Sequence, residues 1–150
     1  MPDGAVCKNV GFGSLGHRFD IVRRVSRSPL ARWGAVSLDC SDPQRLSAFY
    51  LALLGGRQLW AKESSAGIEV LGRVLVAQQV EGYLPPVWPG TSIVHLDLTA
   101  DDIDVAAERA VGLGATWPEQ PDPRWRVLLD PAGHPFCLTP FTPDMAELPS

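Results

Sequence analysis

The sequence lacks the segments and motifs on which several function classes depend. Apolar residues make up 45% of its 150 residues, yet no run approaches the roughly 18 consecutive apolar residues that a membrane-spanning helix needs. The three cysteines stand far apart without a CxxC or CxxxC pair, which argues against structural zinc and favours free thiols in a reducing cytoplasm. A phosphate-binding glycine loop and a Ser-His-Asp order are also missing. With a formal net charge of −4, we expect a cytoplasmic protein that binds neither membranes nor nucleic acid.

Positive charge is concentrated at the start of the chain. Residues 1–32 hold six basic and two acidic side chains, a net charge of +4, so the rest of the chain carries −8. This stretch has no apolar run of the about 7–15 residues that a secretory signal requires. We expect a disordered leader or an over-extended start, with a transit peptide as the alternative. Residues 33–140 then form one domain, and residues 141–150 form a C-terminal tail.

An internal repeat organises the predicted domain. The segment Ala35–Asp42 is matched 60 positions later by His95–Asp102, and both alternate apolar and polar side chains as a two-faced strand does. Each segment ends in an aspartate where a helix N-cap is expected, and each continues with a helical apolar pattern. Glycines stop these helices at Gly55-Gly56 and at Gly114.

Three short strands are expected after each helix. They are predicted at 57–61, 68–71 and 73–80 in the first half, and at 115–117, 125–129 and 135–139 in the second. The sequence therefore predicts an α+β fold of tandem βαβββ modules, 33–82 and 91–140, joined by a Pro-rich linker at 83–90. We expect a curled mixed sheet around a cleft, with the helices on its outer face and a small-molecule site inside.

Three segments resemble the vicinal oxygen chelate superfamily, which includes glyoxalases, bleomycin-resistance proteins and dioxygenases. DPQRLSAFYLALLGG resembles the helix of its first module, VHLDLTADDIDVAAERAVGLGA the strand and helix of its second, and LLDPAGHPFCL its closing hairpin. The details are most similar to the glyoxalase-like domain branch, over about residues 33–140. The resemblance implies the fold but no single activity, because this fold carries isomerases, lyases, dioxygenases and metal-free drug binders.

The resemblance also implies where a metal would be held. Metal-dependent members use four inward-facing side chains, usually His and Glu, and the matching positions here are Ala35, Gln78, His95 and Cys137. Alanine cannot bind a metal, glutamine is a weak ligand, and a thiol is a poor substitute for carboxylate with oxygen-preferring ions. We therefore expect no bound metal, and the alternative is a divalent ion held by His95 and Gln78.

Polar and aromatic side chains supply the other candidate contacts. Strand alternation places His95 and Asp97 on one face, away from the helix, with Asp39 at the related position of the first module. We predict that His95 contacts the ligand and is the catalytic residue if the protein is an enzyme. The aspartates either contact the ligand or bond to nearby polar groups. The predicted ligand-binding residues are His95, Asp97, Gln78, Asp39, Ala35, Cys137, Trp60, Trp88 and Trp125.

Two residues have plainer interpretations. Cys137 is expected to be a small buried side chain rather than a nucleophile, and His134 is expected to be a residue of the closing turn.

The favoured function is metal-independent binding of a small organic molecule, of the resistance or sequestration type, by a protein that is a candidate homodimer. The alternative is a divalent-metal-dependent lyase, isomerase or dioxygenase-like enzyme. A third hypothesis, that the chain is a non-catalytic interaction module, is supported only by the basic leader.

Overall fold

The first half of the chain folds as one βαβββ module. The computed structural model describes residues 33–90, 94–118 and 124–141, so the predicted leader and nearly all of the predicted tail lie outside the described residues. The elements of this half are β1 (Val36–Cys40), α1 (Pro43–Leu54), β2 (Arg57–Lys62), β3 (Ser65–Val70) and β4 (Arg73–Gln79).

Helix α1 begins and ends at the residues that the sequence predicts. The Asp42 side chain accepts a hydrogen bond from the Arg45 N–H at 3.0 Å, and Pro43 follows at the first helical position. At the other end, Gly55 and Gly56 have φ of +76° and +99°, a backbone region that a Cβ disfavours. The helix therefore ends at the glycine pair, as the sequence predicts.

The four strands of the first module form a mixed sheet in the order β1-β4-β3-β2. β1 runs parallel to β4, and β4, β3 and β2 are antiparallel neighbours. Leu38 pairs with Ala77, whose side chain is fully buried and packs toward α1, whereas the next pair, Asp39 with Gln78, is exposed. The sheet therefore has a helix-bearing face and a second face, which we call the free face.

In its described residues, 94–118 and 124–141, the second half repeats this plan with one strand fewer. It contains β5 (Leu96–Thr99), α2 (Ile103–Gly112), β6 (Arg126–Leu129) and β7 (Pro135–Thr139), and its sheet has the order β5-β7-β6. The strand predicted at 115–117 is reduced to a single bridge between Thr116 and Leu129. Its ladder stops there because Pro118 has no N–H to donate to β6. The α+β class and the tandem βαβββ modules are confirmed, and the described strands form two mixed sheets of four and three strands.

Both modules contribute to one hydrophobic core. The Phe136 ring on β7 lies 5.8 Å from that of Phe49 and 6.4 Å from that of Tyr50, both on α1. The core joins residues from the helix-bearing faces of the two sheets with residues of α1 and α2. The helices therefore lie between the sheets, and the two free faces lie on opposite sides of this core. No helix in the described part of the chain is both long and apolar enough to span a bilayer.

Candidate functional site

A tryptophan lies flat on the free face of the first sheet. Trp60 on β2 pairs with Gly67 on β3, and a Cβ placed on Gly67 would come within 2.3 Å of the indole. The indole Nε1 donates a hydrogen bond to the Ser65 hydroxyl at 3.2 Å, which fixes the ring against the strand. Because glycine leaves room for the ring, one indole face covers the sheet and the ring supplies a flat apolar surface.

Polar side chains continue this surface across the sheet. Ser65 pairs with Gln78 on β4, which pairs in turn with Asp39 on β1, so the three side chains form a row beside the indole. The Gln78 amide nitrogen donates to the Ser64 carbonyl oxygen at 3.2 Å. Ala35, just before β1, is exposed and contributes no polar group.

The free face of the second sheet carries the predicted histidine. His95 lies one residue before β5, and its Nε2 is 3.3 Å from the Asp97 carboxylate, as the strand alternation predicts. The histidine side chain is 29% exposed and that of Asp97 is 65% exposed. Asp97 pairs with Cys137 on β7, which is buried.

The other two predicted tryptophans are placed differently. Trp125 is 6% exposed, and the Arg124 guanidinium lies 4.4 Å from the centre of its ring. Trp88 is half-buried in the linker between the modules. The structure thus gathers Trp60, Gln78 and Asp39 on one free face and His95, Asp97 and Cys137 on the other. Their roles in ligand binding stay predictions.

The donor groups at the four implied metal positions do not fit a hard divalent ion. Ala35 supplies no donor atom, Gln78 could supply only a neutral amide oxygen, and Cys137 supplies a buried thiol. Among the described residues, no group of three or more His, Cys, Asp or Glu side chains comes together as metal ligands would. Hard ions such as Mn²⁺ prefer carboxylate, carbonyl and water oxygens, which the side chains at these four positions do not supply as a set.

A buried polar cluster joins the modules, and sequence reasoning missed it. The Asp130 carboxylate, 3% exposed as a residue, accepts hydrogen bonds from the Tyr50 hydroxyl at 2.8 Å and from the Ala132 and His134 N–H groups at 2.8 and 3.0 Å. Its Oδ2 is also 3.0 Å from His134 Nδ1, and His134 Nε2 is 3.1 Å from the Tyr83 hydroxyl. The spacing of Asp130 and His134 in the closing turn was the available signal, whereas nothing in the sequence connects Tyr83 to them.

Burial keeps the phenols and the thiol near this cluster protonated. Burial first, and then the Asp130 charge, raises the pKa of Tyr83 to about 12 and raises that of Tyr50 further. Burial also raises the pKa of the Cys40 thiol to about 11. At neutral pH these groups act as neutral hydrogen-bonding groups and not as anionic nucleophiles.

The family follows from a comparison with known domains. Residues 35–139 match the family model described as "Glyoxalase-like domain". The chain belongs to this family. The match begins at the residue before β1 and ends at the last residue of β7, so it covers both modules. The resemblance to the vicinal oxygen chelate superfamily is thereby confirmed.

Solved structures show the same fold at low sequence identity. The fosfomycin resistance protein FosX from Mesorhizobium loti is 18% identical, with a TM-score of 0.58 over 76% of this chain and 94% of that chain. A FosX mutant from Listeria monocytogenes, complexed with Mn(II) and 1S,2S-dihydroxypropylphosphonic acid, is 17% identical, with a TM-score of 0.59 over 76% and 93%. A glyoxalase/bleomycin resistance protein/dioxygenase family enzyme from Burkholderia phytofirmans PsJN is 18% identical, with a TM-score of 0.57 over 69% and 94%. A search of curated proteins finds no match.

Proposed function

We propose that this glyoxalase-like chain binds a small organic molecule at its free faces without a metal, in the manner of a resistance or sequestration protein. The observation that carries the proposal is the surface formed by Trp60 on Gly67, with Ser65, Gln78 and Asp39 beside it. A flat indole next to a short row of hydrogen-bonding groups suits a planar, largely apolar ligand that carries one or two oxygens.

His95 is the proposed contact from the second module. The Asp97 carboxylate lies 3.3 Å from its Nε2 and orients the imidazole. An oriented imidazole can hold a ligand oxygen through a hydrogen bond, and it can also exchange a proton with the ligand. We assign the binding role first, and a catalytic role for His95 belongs to the enzyme alternative.

The site requires two copies of the chain in this proposal. The free faces lie on opposite sides of the shared core, so Trp60 and His95 of one copy do not enclose a common cleft. Pairing of the first free face of one copy with the second free face of another would produce two equivalent clefts. The proposed partners are thus a small molecule and a second copy of the chain, and the proposed location is the cytoplasm, where a thiol such as that of Cys40 stays reduced.

Ligand binding is tested by a thermal-shift screen of small aromatic acids, phenols and ketones on the full chain. A compound that raises the melting temperature should lose its effect in Trp60→Ala and in His95→Ala. Trp33→Ala is the matched control, because its 74% exposed ring lies outside both sheets. The proposal fails if Trp60→Ala and Trp33→Ala change binding equally.

A metal-dependent lyase, isomerase or dioxygenase-like enzyme is the second candidate. It is favoured by FosX, a structural neighbour that was crystallised with Mn(II). We expect EDTA to leave the melting temperature of this protein unchanged, and we expect Ala35→His combined with Cys137→Glu to create Mn²⁺ binding. Micromolar Mn²⁺ binding by the natural sequence that His95→Ala abolishes would establish the metal-dependent alternative instead.

A further inference from the structure

Tyr83 connects the linker between the modules to the closing hairpin through hydrogen bonds. The Tyr83 hydroxyl donates a hydrogen bond to the Ala132 carbonyl oxygen at 2.8 Å and is 3.1 Å from His134 Nε2. Two residues later, Pro85 lies against Gly133, where a Cβ would come within 2.7 Å of the proline Cβ. Gly133 has φ of +91°, so both its conformation and its missing side chain permit this approach.

The donors and acceptors of Tyr83, His134 and Asp130 determine how many protons their hydrogen bonds require. A hydroxyl has one hydrogen, and a carbonyl can only accept, so the Tyr83 hydrogen is used by Ala132. The contact between Tyr83 and His134 Nε2 therefore needs a hydrogen on Nε2. On the other side of the ring, Nδ1 faces the Asp130 carboxylate at 3.0 Å and needs a hydrogen as well. All three bonds exist together only when His134 is the doubly protonated imidazolium.

We propose that Asp130, His134 and Tyr83 form a proton-dependent latch that holds the linker on the closing hairpin. The imidazolium is paired with a carboxylate that is fully buried as a side chain, and it is itself 17% exposed, so protons from solvent can reach it. When His134 loses a proton, Nδ1–H stays with Asp130 and Nε2 becomes an acceptor. The Tyr83 hydroxyl can then donate its hydrogen bond either to Nε2 or to the Ala132 carbonyl oxygen, so one hydrogen bond of the latch is lost.

The charged and titratable groups around the latch support this direction. Asp130 lies on the same turn as His134, Tyr50 reaches Asp130 from α1, and Cys40 and Asp39 on β1 act on Tyr83 through space. Both phenols and the thiol stay protonated near neutral pH, because burial raises their pKa values. Because the latched state binds one more proton, the latch is complete at low pH and weakens as pH rises.

The latch also controls a groove at the module junction. A cavity of about 310 Å³ lies between the linker, at Tyr83 and Pro85, and the wall formed by Leu129 and Gly133. Tyr83 and Pro85 form the linker side of this groove, so release of the Tyr83 hydroxyl from the hairpin would widen the groove.

The test is a double-mutant cycle on the full-length chain. Urea unfolding of the natural sequence, Tyr83→Phe, His134→Asn and the double variant gives the coupling between the two side chains. We expect a coupling of roughly fivefold in the unfolding equilibrium constant near pH 5.5, the size of one net hydrogen bond, and a smaller coupling at about pH 8, where Nε2 and the Ala132 carbonyl compete for the single Tyr83 hydrogen. A coupling that is equal at both pH values would overturn the proposal. Tyr83→Phe with His95→Gln is the control pair, and these two changes should be additive at both pH values.

NMR of the natural sequence provides a second measurement that needs no folded double variant. The chain has two tyrosines and three histidines, so the Tyr83 and His134 signals are identified by their loss in Tyr83→Phe and His134→Asn. Near pH 5.5 both ring nitrogens of His134 should carry protons, and the Tyr83 ring carbons should shift with the same midpoint as His134. A neutral His134 at that pH, or a Tyr83 signal that does not move while His134 titrates, contradicts the latch.

Discussion

Asp130 is the residue on which the junction of the two modules depends. Its carboxylate receives a hydrogen bond from Tyr50 of the first module and two from backbone N–H groups of its own hairpin. A buried carboxylate is tolerated when its lone pairs are satisfied, and removing one donor leaves part of its charge uncompensated. The described residues contain no buried side-chain nitrogen or oxygen without a partner, which fits this complete arrangement.

Tyr50→Phe should therefore destabilise the protein although it removes a single oxygen. We expect a loss of about 1.5–3 kcal/mol in the free energy of unfolding, the range for a hydrogen bond to a charged group. Urea denaturation of the full chain measures it. Ser47→Ala is the matched control, because it also removes one buried hydroxyl of α1, but one that is bonded to the neutral Gln44 carbonyl. The control should cost less than about 1 kcal/mol, and equal costs for the two variants would contradict the role given to Asp130.

At the level of elements, the two glycines that follow α1 are required for different structural reasons. Gly55 has φ of +76° and open space where a Cβ would lie, so Gly55→Ala should cost about 1 kcal/mol from backbone conformation alone. A Cβ on Gly56 would lie 2.1 Å from the Glu69 carbonyl oxygen on β3, so Gly56→Ala must also displace a strand. Thermal and urea unfolding should rank Gly56→Ala as the more destabilising change. The reverse order would contradict the close contact between Gly56 and the Glu69 carbonyl oxygen.

The elements also show what the sequence can predict. Periodicity and caps predicted both helices, because Asp42, Asp102 and the glycine stops act within a few residues of chain. The strand predicted at 115–117 is reduced to the Thr116–Leu129 bridge, because Pro118 has no N–H to extend the pairing with β6. His134 was predicted to be a turn residue, and it does lie in the turn. Its contact with Tyr83 joins residues 51 positions apart, so no local pattern reveals it.

At the scale of the whole molecule, the shared core determines how a site can be assembled. Phe136 packs on Phe49 and Tyr50, so the helix-bearing faces of both sheets are used within one chain. The candidate groups on the free faces, with Trp60 on one and His95 on the other, remain for contacts outside that core. A cleft that contains both groups therefore takes one module from each of two copies in the proposed dimer.

Complementation between two defective variants tests this assembly. Trp60→Ala damages the first module, His95→Ala damages the second, and each homodimer should fail to bind the compound found in the thermal-shift screen. After the two variants are unfolded, mixed in equal amounts and refolded, each mixed dimer should contain one cleft with both changes and one with neither. Since random pairing makes half of the dimers mixed, binding should return to about one quarter of the sites of the natural protein. Titration calorimetry of the mixture measures this fraction, and size-exclusion chromatography checks that dimers have formed. If each chain instead built its own complete cleft, every cleft in the mixture would carry one damaging change and binding would stay absent.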